Sequence, residues 1–270
     1  MEVRVDRRSV FLADQGRSLD PARPTVLFIH GAGMDHSVWP LQARHFAYRG
    51  WNALALDLPG HGRSAPLGEE GGLLASVPAM AAWLVQVIDV LGIARAHLVG
   101  HSMGALVALE AAAAHDDRVQ SIALLGAAPA MPVHPALLEA AARTELLAAE
   151  LICDWGFGPA GHFGGHRAPG SWMLGHALKL LGQSTGPRLR TDLAACDGYG
   201  RGLEAAAAVR CPALVLCGRL DRMTPPRAGQ KLATAIPGAR LVVLEAAGHM
   251  MMVEQPDATL DALVGFLEDH

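Results

Sequence analysis

Four short segments of this chain carry the residue types that acyl transfer uses. The first reads Leu-Val-Gly-His-Ser-Met-Gly over Leu98–Gly104. The apolar run Ala96–Val99 has strand character, and the Ala-rich segment from Gly104 to Ala114 has helix character, so Ser102 falls on the turn between them. Such a turn strains the backbone of its central residue and admits only small neighbours, here Gly100 and Gly104. It also lifts the serine hydroxyl above the sheet, where it can act as a nucleophile once a base stands beside it. A second reading stays open at this point: Ser102 as a helix N-cap and nothing more.

A serine nucleophile needs a base, a group that orients the base, and donors for the developing oxyanion. The run Ala239–Glu245 reads as a strand, and the loop after it carries His249, with Gly248 before it for a tight turn. The buried-strand run Pro212–Gly218 is followed by Arg219-Leu-Asp221, which puts a carboxylate in another loop after a strand. Glu245 and Glu254 are imperfect alternatives for the acid. Upstream, the strand Thr25–Ile29 runs into His30-Gly-Ala-Gly33, whose two glycines let the chain turn and expose amide donors. The expected oxyanion donors are the backbone N–H groups of Ala32 and Met103, the latter helped by the positive end of the helix that starts near Ser102.

With these segments in place, the chain resembles the α/β-hydrolase family, in the group that carries His-Gly, Gly-His-Ser-Met-Gly and a final Gly-His. The stretch Asp57-Leu-Pro-Gly-His-Gly-Arg-Ser64 is a further hallmark. The resemblance runs from about Val26 to the C-terminal helix, apart from a middle insertion. It implies the chain order Ser102, Asp221, His249 for the catalytic residues. One departure is Ala105, where many relatives carry a second glycine; the residue stays small. His30 is expected to stabilise the oxyanion loop by hydrogen bonding. Asp57, His61 and Arg63 are expected to fix the turn after their strand.

The elements that must position these residues follow from pattern. Strands are expected near 25–29, 52–56, 96–100 and 120–125, with helices near 37–49, 78–92 and 103–115 between them, and a starting hairpin over Glu2–Leu12. Such alternation implies right-handed crossovers and a parallel sheet covered on both faces, with functional loops at the carboxyl ends of the strands. The fold class is therefore α/β, and the resemblance makes it a mostly parallel eight-stranded sheet with a helical cap insertion. The core would span 1–128 and 211–270, and the cap 129–210.

Within the insertion, helical spacing runs over Pro135–Trp155, Ser171–Leu181 and Pro187–Ala195, with a Gly- and His-rich loop over Gly156–Gly170. A cap of this kind roofs the serine and shapes the substrate pocket. Candidate lining residues are Met34, Trp155, Phe157, Phe163, Trp172, Met173, Met223 and Met250, each of which could equally be core. Met251 and Met252 are expected to pack. His162 and His166 flank Phe163-Gly-Gly165, where no helix aligns them, so no metal site is expected.

Bulk composition bounds the rest. At 270 residues, 51% hydrophobic and 18% charged, the chain can bury one large α/β core. A net charge of −4 with no long basic run argues against nucleic acid as a partner. No signal-peptide h-region and no membrane span are expected. Four cysteines, Cys153, Cys196, Cys211 and Cys217, lack metal spacing and read as reduced thiols, so a cytoplasmic location is the expectation. The chain would act without a cofactor, as monomer or homodimer.

The chemistry expected is hydrolysis of a small or medium carboxylic ester, a lactone or a thioester being open to the same groups. Three alternatives remain. Carbon–carbon bond hydrolysis would call on inward-facing cap groups such as Arg188, Arg190 or His176. The others are a perhydrolase or haloperoxidase-like activity and a ligand-binding receptor without turnover. Dehalogenase chemistry would need a carboxylate where Ser102 stands.

Overall fold

The computed structural model describes residues 1–67, 72–143, 145–162, 172–183 and 187–270. A hairpin of β1 (Glu2–Val5) and β2 (Arg8–Ala13) opens the chain, as expected from Glu2–Leu12. There follow β3 (Thr25–Ile29), α1 (Pro40–Ala47), β4 (Asn52–Leu56), α2 (Val77–Val90), β5 (Ala96–His101), α3 (Met103–Ala114) and β6 (Val119–Leu125). The expected helix near 37–49 is shorter: a 3-10 turn over His36–Val38 precedes it, and Pro40 sits in its first turn, where a missing N–H costs nothing. Between β6 and β7 (Ala213–Gly218) lie α4 (Pro135–Arg143), α5 (Glu145–Gly156), α6 (Pro159–His162), α7 (Met173–Gly182), α8 (Arg188–Asp197) and α9 (Gly202–Ala208). The chain closes with α10 (Pro226–Ala235), β8 (Arg240–Leu244), α11 (Met251–Glu254) and α12 (Pro256–Leu267).

The eight strands form one sheet in the order β1-β2-β4-β3-β5-β6-β7-β8. β2 runs antiparallel to β4, and every pair from β4 to β8 is parallel. Because side chains alternate along a strand, each central strand feeds two cores. Leu27, Ile29, Leu98 and Leu124 pack on one face with α2, α3, α9 and α10. Val26, Phe28, Val99 and Leu125 pack on the other with α1, α12 and residues of α4, α5, α7 and α8. This double burial explains why the central strands read as continuous apolar runs.

The segment expected as one helix over Pro135–Trp155 is two, α4 and α5. α9, not anticipated from the sequence, packs against α3 and α10 and so joins the helical layer of the core face. Gly202, which opens it, lies so close to the backbone of Pro129 that a Cβ there would overlap the carbonyl. Among the described residues no helix is long and apolar enough to cross a membrane. All four cysteines are buried and free.

Candidate active site

Ser102 sits between β5 and α3 with φ 53° and ψ −117°, a backbone conformation that L-residues rarely adopt. The turn is enforced by close approach: a Cβ on Gly100 would overlap the Gly104 carbonyl, and one on Gly104 would overlap the Ile29 and His30 carbonyls. The Ser102 N–H donates to Leu125 O at 2.9 Å, tying the turn to the end of β6. Its own carbonyl accepts from Ala105 and Leu106 and starts α3. Met103 is the first residue of that helix, where the N–H lacks an intrahelical acceptor.

His249 lies in the loop after β8, buried, with Nδ1 2.8 Å from Asp221 Oδ2. Asp221, in the loop after β7, is held by three donors besides. Its Oδ1 accepts the N–H groups of Met223 and Thr224, both at 2.8 Å. Its Oδ2 accepts the Thr224 hydroxyl at 2.7 Å. Burial pushes this carboxyl up, but the adjacent His249 ring and the Thr224 donors outweigh it and hold the group below the usual carboxylate range. Asp221 is thus a carboxylate facing the Nδ1 side of the His249 ring.

The backbone of His249 is fixed from three sides. Its N–H donates to Gly156 O at 2.6 Å, at the end of α5. Its carbonyl accepts from His101 Nε2 at 3.0 Å. Burial, then the charge of His249, pulls the His101 ring down to about 3, so it stays neutral at physiological pH. Glu254 completes the loop: it accepts from Gly248 N at 3.0 Å, Met250 N at 3.2 Å and Gly158 N at 2.8 Å. Its oxygens face amides, not the imidazole. Glu245 is exposed and paired with Arg219 at 2.8 Å. Of the three acids weighed from the sequence, Asp221 is the one whose oxygen meets His249 Nδ1.

Ser102 and His249 open onto one cavity of about 330 Å³, together with Ala32. Met34, Trp155 and Met223 line it, as anticipated. Four other anticipated residues do not. Phe157, Met173 and Met250 are buried around a separate small space, lined also by His176, Leu180 and Leu181 of α7. Trp172 precedes α7 and is 65% exposed. Phe163 and His166 lie outside the described residues. The remaining wall comes from Met131 to His134, Leu137, Ile152, Leu193, Cys196, Arg222 and Thr224. Leu137 and Leu193 belong to apolar helix stripes that the sequence displays; which cavity a stripe faces is not in the pattern.

Other motif residues turn out to organise loops. His30 Nδ1 donates to Gly31 O at 2.8 Å, and its Nε2 accepts from Leu58 N at 3.1 Å. Burial, then neighbouring His61, pulls this ring down to about 4. Asp57 accepts from His36 N, His36 Nδ1 and Arg63 N at 2.7, 2.9 and 2.9 Å, which holds the turn after β4. Asp35, His36 and Asp57 are the grouping of potential ligand atoms found among the described residues, and the Asp57 oxygens are already occupied by these donors. Arg188, Arg190 and His176 do not line the Ser102 cavity.

Comparison with known proteins agrees with this architecture. The model of the alpha/beta hydrolase family matches residues 26–262. A pimeloyl-acyl-carrier-protein methyl ester esterase of Neisseria meningitidis is 28% identical over 93% of this chain and 79% of its own length. The (E)-2-((N-methylformamido)methylene)succinate hydrolase of Acinetobacter baylyi is 26% identical over 97% of this chain and 95% of its own. Among solved structures, the enol-lactonase of Burkholderia xenovorans LB400 superposes with a TM-score of 0.84 at 26% identity, covering 99% of this chain and 100% of that one.

Proposed function

The chain belongs to the alpha/beta hydrolase family, and from that premise we propose that it hydrolyses small or medium carboxylic esters through a serine acyl-enzyme. The observation that carries this reading is the convergence of Ser102, on a strained turn, and the Asp221–His249 pair on one largely apolar cavity. His249 Nε2 takes the proton as Ser102 Oγ attacks the carbonyl carbon. Asp221 keeps the Nδ1–H tautomer in place and stabilises the ring once charged. The tetrahedral oxyanion is held by the Ala32 and Met103 amides. The charged ring then protonates the leaving alkoxide as the carbon–oxygen bond breaks. Water, activated by the same ring, hydrolyses the acyl-enzyme and restores Ser102.

The helices α4 to α8 act as a cap that excludes water and limits substrate size. At about 330 Å³ the cavity is near the low end for ligand sites, which favours short substrates. A lactone is the second reading, favoured by the overlap with an enol-lactonase along the full chain. Ring opening uses the same steps, with the leaving alkoxide still tethered to the acyl group.

The test is hydrolysis of p-nitrophenyl esters of increasing acyl length by wild type and Ser102→Ala, with fluorophosphonate labelling in parallel. Serine-dependent turnover that declines with chain length is expected. Full activity in Ser102→Ala would overturn the assignment. Labelling without ester turnover would move the substrate to lactones.

A further inference from the structure

The inserted helix α8 touches the oxyanion loop through one buried acid. Leu189, Asp192, Leu193 and Cys196 lie at i, i+3, i+4 and i+7, a single face of α8, and all four are buried. Leu193 and Cys196 line the cavity. Leu189 and Asp192 hold the loop: Asp192 is 1% exposed, and its Oδ2 accepts from Gly33 N at 2.8 Å and from His61 Nε2 at 2.8 Å. The other ring nitrogen of His61 lies 3.2 Å from Pro59 O, so the imidazole is fixed at both ends. It also packs against His30, with ring centroids 4.9 Å apart, and His30 bonds back to Gly31. Gly33 has φ +67° and no room for a Cβ, which would come within 2.8 Å of Leu189 Cδ1. Two motifs that His30 already links, His30–Gly33 and Leu58–His61, thus also meet on one carboxylate oxygen supplied by the insertion.

A buried carboxylate at a position otherwise apolar is costly to desolvate unless its bonds do something the fold needs. The bond to Gly33 N fixes the peptide plane between Ala32 and Gly33, the plane next to the Ala32 amide. We propose that Asp192 is a positioning residue that aims the Ala32 N–H at the oxyanion, so that the insertion sets the rate of the chemical step as well as the shape of the pocket. This rests on reading Ala32 as an oxyanion donor in serine acyl transfer. It assigns to Asp192 an effect on the tetrahedral intermediate and none on ground-state binding.

Both bonds converge on a single oxygen, so the side-chain amide of Asp192→Asn can still accept them, whereas Asp192→Leu fills similar space and accepts neither. The experiment measures the second-order rate of fluorophosphonate labelling at Ser102, which uses the same amides and needs no knowledge of the natural substrate. Removal of one oxyanion donor slows such reactions by about 10²–10³-fold, and a displaced donor should cost somewhat less, roughly 10–100-fold in Asp192→Leu. Asp192→Asn should label within about threefold of wild type, this being the rescue expected when acceptor geometry is what matters. For any ester turned over, Asp192→Leu should lower kcat and spare KM. Hydrogen exchange of the 29–35 peptide should quicken in Asp192→Leu beyond any change elsewhere. If Asp192→Leu does not fold, Asp192→Ser, which withdraws the oxygen from Gly33, takes its place.

Labelling of Asp192→Leu or Asp192→Ser at the wild-type rate would overturn the proposal. So would a loss that only follows the folded fraction equally in every variant. Failure of wild type to label at Ser102 would overturn the nucleophile reading and this one with it. Normal labelling with no ester turnover would count against the substrate class alone.

Discussion

Replacing Asp221 with Asn should cripple turnover while leaving the fold intact, and the reason lies in how the acid is held. Its Oδ1 accepts two backbone N–H groups, from Met223 and Thr224, and its Oδ2 faces the Thr224 hydroxyl and His249 Nδ1. An amide must choose which side receives its NH2. On the Oδ1 side it would confront two N–H donors, one buried and one half-buried, and leave both without an acceptor, at up to about 1–3 kcal/mol each. The NH2 therefore turns towards His249 and donates to Nδ1. That locks the ring as the Nε2–H tautomer, which cannot accept the Ser102 proton. Reaching the productive tautomer means flipping the amide, at about 2–6 kcal/mol for the two orphaned donors. One tenfold step per 1.36 kcal/mol converts this to a loss of about 30-fold to more than 10⁴-fold in kcat. Loss of the charge that stabilises the imidazolium adds to it, so the upper part of that range is expected. The assay is kcat for the best p-nitrophenyl ester, alongside thermal unfolding. A kcat within tenfold of wild type, in a folded protein, would refute both the orientation argument and the role given to Asp221.

Two further outcomes follow from positions outside the reacting groups. Trp172→Ser should leave ester kinetics within about twofold of wild type, since the indole is in solvent and surface changes away from a site are near neutral; a larger fall in kcat/KM would place that side chain against substrate. His36→Ala should destabilise the protein more at pH 6 than at pH 9. Burial lowers the His36 ring, but the hydrogen bond and charge of Asp57 outweigh it and raise the ring above 6.5 in the fold. Its contribution is therefore complete below 6.5 and lost as pH rises through the folded value. Equal losses of thermal stability at both pH values would remove the charge from this account.

The fold was readable because its signals are local and repeated. Val26–Ile29 and Ala96–Val99 are apolar runs followed by glycine turns, and the intervening segments have helix composition, so sheet type and loop placement follow. Ser102, Asp221 and His249 each sit just after such a run. The cavity wall was harder. Phe157, Met173 and Met250 carry the same apolar signature as Met34, Trp155 and Met223, and only the tertiary packing places the first three around a different space from Ser102. Asp192 does carry a sequence signal: a carboxylate one turn from Leu189 and next to Leu193, on what is otherwise the buried stripe of a helix. Glu254 drew notice as a candidate acid for His249, and its three amide bonds give it a structural task that residue type alone does not reveal.

The backbone at Ser102 has a bearing on how such a protein changes over generations. A non-glycine residue at φ 53° and ψ −117° costs of order 1–3 kcal/mol, a noticeable part of the roughly 5–15 kcal/mol by which a domain is stable. Glycine adopts that conformation freely. Once selection for turnover is relaxed, a change from Ser102 to glycine both removes the proposed nucleophile and returns the stored strain as stability. The same relief absorbs later destabilising changes in the helices inserted between β6 and β7. Return to serine must then be made against a protein that has already consumed the margin. Loss of the serine is therefore downhill in stability, and its recovery is obstructed.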